Sequence, residues 1–201
     1  MKVTRVEAVT KTKYKVFLDE QFAFELYKGE LSRYQIAEGA QISETIYEMI
    51  RQEVILKRIK LRALHLLNVS DRTEADLRNK LRQSHYPEDL IEEAVAYVKR
   101  FGYINDEEYV RRYMEYKSGS KSKIQIKMDL RKKGITAETL ERVFEEYEYE
   151  EDDILEEQVK KRIRQKGSVT KENFQKYYGY FARKGFNSGK ILDLLRKYME
   201  D

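Results

Sequence analysis

Imidazole and thiol groups build many enzyme and metal sites, and this chain is short of both. It has two histidines, His65 and His85, and no cysteine. A disulfide framework, a thiolate metal site and a Cys nucleophile are therefore excluded, and neither a zinc site nor a His-dependent triad is expected. His65 stands among Leu64, Leu66 and Leu67 and reads as structural, while His85 reads as a helix-terminal residue. Gly119-Ser120-Lys121-Ser122 invites comparison with a phosphate loop, but the first glycine and the spacing are missing. It reads as a linker before a helix, with Lys121 and Lys123 set near an N-terminus that could hold an anion. The acidic run from Glu145 to Glu157 reads as a solvated helix junction whose later acids favour the next helix start. A docking surface for a basic partner is the sharper alternative. No catalytic residue, metal or cofactor is assigned, and no enzyme activity is expected.

The cations remain. Basic clusters recur along the chain: Arg78, Lys80 and Arg82; Arg131, Lys132 and Lys133; Arg183 and Lys184. Each lies near the end of an expected helix, where the macrodipole alone favours positive charge. Contact with phosphates, or with the acids of a protein partner, is the functional alternative. Phe174, Tyr177, Tyr178, Tyr180 and Phe181 interleave with cations as base-stacking residues would, although Tyr177 and Phe181 fall at core positions of the repeat described next. With 40 Lys and Arg against 36 Asp and Glu, the formal charge is only +4. That balance does not establish strong independent DNA affinity.

Stepping down to the elements, 38% of residues are charged, where about 25% is usual. Nine glycines and one proline in 201 residues leave too few breakers for many short strands and favour long helices. The N-terminus differs. Tyr14, Val16 and Leu18, then Phe22, Phe24 and Leu26, alternate with other residues around the polar turn Asp19-Glu20-Gln21, and Val3–Val9 adds a third strand. Helical spacing begins with Ile46, Met49, Ile50 and Val54 and runs to about Asn68. The chain then repeats. Leu77 and Leu81 correspond to Ile126 and Leu130 at an offset of 49, and these to Tyr177 and Phe181 at an offset of 51. The register continues through Ile91, Leu140 and Ile191; Val95, Phe144 and Leu195; and Val98, Tyr147 and Tyr198. In each copy one helix ends near Gly134, Gly185 or His85, an apolar residue follows (Tyr86, Ile135, Phe186), and Pro87, Thr136 or Ser188 starts the next. An upstream helix completes each unit: Val54–Asn68, Glu107–Lys117 and Asp153–Lys166. The expected fold is mostly α, with three tandem three-helix repeats in an elongated, curved array behind a small antiparallel β element. The expected segments are 1–42 for the β element, 43–105 for the long helix and first repeat, 106–150 for the second repeat and 151–201 for the third.

Three stretches carry a resemblance. Arg72-Thr-Glu-Ala-Asp-Leu77-Arg-Asn-Lys80-Leu81, Gly102-Tyr103-Ile104-Asn105-Asp106-Glu-Glu-Tyr109-Val110 and Ile126-Lys-Met-Asp-Leu130-Arg131-Lys-Lys133-Gly134-Ile135 are similar, in order and spacing, to motifs of the RecX family of recombination regulators. Val110 replaces the usual alanine, and Ser84-His85 replaces the usual Lys-Gly. The resemblance implies a non-enzymatic regulator that binds the RecA–DNA filament and modulates, chiefly by inhibition, its ATPase and strand exchange. It also implies possible direct contact with single- or double-stranded DNA. The residues expected to touch RecA or DNA are Arg72, Lys80, Arg82, Arg111, Lys121, Lys123, Arg131, Lys132, Lys133, Arg183 and Lys184. A stand-alone DNA-binding helical module is the competing reading. No apolar leader or membrane span is evident, so a cytoplasmic, monomeric protein is expected.

Overall fold

The alternating apolar residues of the N-terminus form a three-stranded antiparallel sheet in the computed structural model, which describes residues 1–117, 119–146 and 150–199. Strands β1 (Val3–Ala8), β2 (Lys13–Leu18) and β3 (Gln21–Tyr27) pair in chain order. Asp19 and Glu20 both take left-handed backbone, with φ of 46° and 68°. That is the two-residue turn whose twist matches the flanking strands. Val16, Leu18, Phe24 and Leu26 are buried, but Phe22 is exposed. A register shift after Val16 pairs Phe17 with Phe22, and the two rings meet edge-on at 5.9 Å. One irregular step changes which side chains face inward, so the expected inward set is corrected to Phe24 and Leu26.

A short helix absent from the sequence reading, α1 (Lys28–Arg33), follows β3, with the Tyr27 N–H donating to the Glu30 carboxylate at 2.7 Å. Next come α2 (Glu44–Ile50), a π-helical stretch (Arg51–Leu56) and α3 (Lys57–Val69) in unbroken succession. The buried positions are Ile50, Ile55, Leu56, Ile59, Ala63 and Leu66. The five-residue step from Ile50 to Ile55 falls within the wide turn, which keeps one apolar stripe in phase along the run. The expected stripe through Met49 and Val54 is thereby displaced: Met49 is exposed and Val54 only half-buried. Arg58 ties α3 to the sheet. Its guanidinium donates to both Glu30 carboxylate oxygens at 2.7 Å and to the Glu25 carbonyl at 2.8 Å.

Three three-helix repeats make up the rest. The first is α3 with α4 (Glu74–Arg82) and α5 (Glu88–Arg100). The second is α6 (Asp106–Lys117), α7 (Lys123–Lys132) and α8 (Ala137–Glu146). The third is α9 (Glu151–Lys166), α10 (Phe174–Arg183) and α11 (Ser188–Lys197). Leu77, Leu81, Ile91, Val95 and Val98 are buried, as are Ile126, Leu130, Leu140 and Phe144, and Tyr177, Phe181, Ile191 and Leu195. Tyr198 is half-buried, and Tyr147 lies outside the described residues. The turns after the second helices are also equivalent. His85, Gly134 and Gly185 have φ of 57°, 84° and 81°, and each donates its N–H to the carbonyl three residues back at 2.9 Å. Thr136 caps α8 by accepting the Thr139 N–H at 3.2 Å. Ser188 is not a cap: Asn187 takes that role, its Oδ1 accepting the Lys190 N–H at 3.2 Å.

By contacts the chain divides into two compact units, Met1–Arg72 with Asp76–Ile104, and Thr73–Ala75 with the residues from Asn105 onward. The first unit has one core shared by the sheet and α2 to α5. The second has separate small cores for the second and third repeats. Such small cores need additional fastening, and the second unit supplies it twice in the same way. Thr73 and Ser122, 49 residues apart, are the buried polar side chains among the described residues. Thr73 Oγ1 donates to the Lys133 carbonyl at 2.6 Å, and Ser122 Oγ to the Lys184 carbonyl at 2.5 Å. The N–H of the next residue, Glu74 or Lys123, donates to a carboxylate from the next helix start, Asp106 at 2.8 Å or Glu151 at 2.9 Å. The residue after that, Ala75 or Ile124, sits against Gly134 or Gly185: a Cβ on Gly134 would collide with Ala75, and one on Gly185 would be crowded by Ser122 and Ile124. A buried hydroxyl is tolerated because it is bonded, and each glycine serves both a left-handed turn and a close approach.

Candidate interface

The expected contact residues divide by whether the chain already uses their charge. Arg72 donates from Nε to the Leu66 carbonyl at 3.2 Å and from Nη1 to Asp76 at 2.6 Å, closing the end of α3. Arg82 forks onto the Glu88 carboxylate, with Nε donating to Oε2 at 2.9 Å; that bond holds the Glu88 carboxyl below its ordinary range. Arg111 reaches Glu146 at 2.9 Å. Lys121 pairs with Asp129 and approaches the Tyr113 hydroxyl at 3.3 Å. Its hydrogen bond raises the Lys121 ammonium above its ordinary value and lowers the Asp129 carboxyl. At α7, the anion expected beside Lys121 and Lys123 is the chain's own Glu151 carboxylate, received by the Lys123 N–H. Arg72, Arg82, Arg111 and Lys121 are built into the fold by their charge, Lys123 by its backbone N–H, with its Nζ 5.6 Å from the Phe144 ring centre.

Of the others, Lys184 is half-buried beside Tyr180, and the rest carry their charge outward. Arg131, Lys132 and Lys133 are exposed at the end of α7, and Lys133 Nζ lies 5.7 Å from the Tyr109 ring centre. Arg183 is exposed at the end of α10, and Lys80 is half-buried on α4. Among the described residues Arg131, Lys132, Arg183 and Lys80 have no ion pair. The difference between Arg82 and Arg131, which share a register, has a local cause. Glu88 lies six residues beyond Arg82, whereas Ala137 lies six beyond Arg131. The same α7 exposes Ile124 and Met128, at 56% and 51%, beside Lys127 and Arg131. A basic helix end with an apolar strip can take phosphate oxygens or carboxylates on its cations while covering apolar surface.

Several described acids of the run from Glu145 to Glu157 serve the chain itself. Glu146 pairs with Arg111, Glu151 caps α7, Asp152 pairs with Lys190, and Glu156 binds Lys160, Lys197 and the Tyr198 hydroxyl. Tyr147, Glu148 and Tyr149 lie outside the described residues. The Tyr198 and Lys197 hydrogen bonds lower the Glu156 carboxyl from 4.5 to about 2. His65 is exposed on α3, beside Leu64, Leu67, Asn68 and Tyr103 in a cleft. No helix among the described residues is long and apolar enough to cross a membrane.

Comparison with known proteins places this arrangement. The profile of the RecX first three-helix domain matches residues 60–97, and that of the second matches residues 105–143. A regulatory protein RecX of Caldanaerobacter subterraneus subsp. tengcongensis is 32% identical over 96% of this chain and the whole of its own length. The chain belongs to the RecX family. The regulatory protein RecX of Listeria monocytogenes is 30% identical over 94% of this chain and 72% of its own. A crystal structure of a regulatory protein RecX covers 98% of both chains with a TM-score of 0.64 at 22% identity, which shows the common fold. The two matched segments are the first and second repeats. The third was found from internal register, and it contributes a cation the sequence reading passed over: Arg162 on α9, stacked 3.6 Å from the Tyr180 ring centre. Its signal in the sequence is a neutral Gln158 four residues before it, where Lys160 and Lys161 have Glu156 and Glu157.

Proposed function

We propose that this RecX-family chain is a non-enzymatic regulator that binds the RecA–DNA filament and lowers its ATPase and strand-exchange activity. The observation that carries the reading is the match to regulatory RecX proteins across nearly the whole chain. The surface is compatible: charges fixed within the fold alternate with unpaired cations at Arg131, Lys132 and Arg183, as a groove shared by protein and DNA requires. In this reading segments 1–42, 43–105, 106–150 and 151–201 are the working pieces, and the cytoplasm is where they meet RecA. The protein acts by binding one filament state more tightly than another, since an equal affinity for both would shift nothing. Phosphate contacts by the basic helix ends position the protein without reading sequence.

The test compares affinities for RecA-coated and bare DNA, using the wild-type chain and the variant R131E/K132E/K133E. Preference for coated DNA, reduced in a variant with unchanged helicity, supports the reading. Tight binding to bare duplex that falls steeply with salt, with no gain from RecA, supports the stand-alone DNA-binding module instead.

A further inference from the structure

The third repeat contains two cations that the fold brings to one tyrosine ring and that, among the described residues, have no counter-charge. Arg162, half-buried on α9, lies over the Tyr180 ring at 3.6 Å and near the Tyr177 ring at 5.4 Å. Its Nε is buried and has no hydrogen-bond acceptor. Lys184, which caps the end of α10, lies 4.9 Å from the same Tyr180 ring, and its Nζ is 3.5 Å from the neutral Gln158 amide oxygen. The Lys184 backbone is fixed by the buried Ser122 hydroxyl. Four of the α9 carboxylates have other partners: Glu151 accepts the Lys123 N–H, Asp152 pairs with Lys190, Glu156 with Lys197 and Lys160, and Glu157 with Lys160. Among the described residues neither Arg162 nor Lys184 has an ion pair. Burial alone would raise the Tyr180 hydroxyl, yet it is lowered, because the Lys184 hydrogen bond and the charges of Lys184 and Arg162 outweigh burial. The site is thus positive, partly shielded from water and held by three helices' worth of packing. Two neighbouring cations with no carboxylate partner among the described residues favour an anion at their accessible donors.

We propose that Arg162, Lys184 and the Tyr180 hydroxyl form a phosphate-binding site that receives a backbone phosphate of single-stranded nucleic acid. The guanidinium supplies a planar donor pair and the ammonium a point charge, the two usual means of holding a phosphate. The half-buried Tyr178 and Tyr180 offer rings beside it on which a base can rest. The site deepens the DNA-contact part of the proposed function, and its test omits RecA, so that failure here leaves the RecA reading standing on its own measurement.

The experiment titrates the full chain with a labelled oligothymidylate of about 20 nucleotides across a range of salt concentrations. R162Q/K184Q is expected to bind about tenfold more weakly, and its plot of log affinity against log salt should lose about 0.7 in slope for the one phosphate released. The control K166Q/K171Q removes the same charge from exposed positions of the same unit and is expected to change affinity less than about twofold. Equal losses in both variants, or no loss in R162Q/K184Q, would overturn the site. The tyrosine-ring NMR signals of the unmutated chain give a second reading that does not depend on the variants folding. Oligothymidylate is expected to shift the Tyr180 signals, and an unshifted Tyr180 overturns the proposal. Inorganic phosphate is the comparison probe: if it moves the Tyr180 signals and the oligonucleotide does not, the nucleic-acid source is refuted.

Discussion

Replacing Gly134 by alanine tests the repeated fastening of the second unit. Two costs apply there. The backbone is left-handed, φ 84°, and an alanine in that region loses about 1–2 kcal/mol. A stiffer unfolded chain offsets about 0.4–1 kcal/mol of this. The second cost is contact, because the new methyl would overlap the Ala75 side chain, and overpacking of that kind costs about 1–3 kcal/mol. Gly102 provides the reference: its φ is 70°, but nothing lies within 4 Å of a Cβ built there. G102A should therefore cost about 1 kcal/mol and G134A about 2–4 kcal/mol. Urea denaturation of the full chain measures both. The double variant A75G/G134A makes the argument sharper, since removing the Ala75 methyl should return the contact part and give a coupling of about 1–3 kcal/mol. Additivity of A75G and G134A to within about 0.5 kcal/mol would refute the close approach and the junction built on it.

Ser122→Ala should destabilise the second unit by about 2 kcal/mol, since it removes the cap of α7 and leaves the Lys184 carbonyl without its donor; Ser120→Ala, at an exposed loop position, should stay within about 0.5 kcal/mol in the same denaturation assay. Glu156, lowered from 4.5 to about 2, gives stability that is complete above about pH 4.5 and is lost as pH falls through about 2. E156Q should consequently melt below the wild-type chain at pH 7, with the difference closing towards pH 2; a constant difference across that range would contradict the assignment.

The repeat was legible because its carriers are apolar residues whose burial fixes their register. Leu81, Leu130 and Phe181 are each fully buried, and the left-handed turn after them is marked twice by glycine and once by His85. The strands were legible for the same reason, by alternation. What escaped depends on partners distant in sequence. Nothing local marks Thr73 and Ser122 as buried hydroxyls, because their carbonyl partners lie 60 and 62 residues away. Their shared 49-residue offset was the available signal. The π-helical turn and the strand irregularity each shift a pattern by one position, which moved Met49 and Phe22 outward against expectation. Among the cations, position in a cluster said little about availability. Arg82 and Arg131 occupy one register, and only the presence of Glu88 against Ala137 makes one a fold residue and the other a surface charge.

Under the proposed function the protein regulates RecA by holding its filament. That is tested most directly by measuring RecA ATP hydrolysis on single-stranded DNA while this protein is titrated in. A protein that holds the filament lowers hydrolysis well before one molecule is present per RecA protomer. Hydrolysis that stays unchanged up to that equivalence would contradict the proposed function.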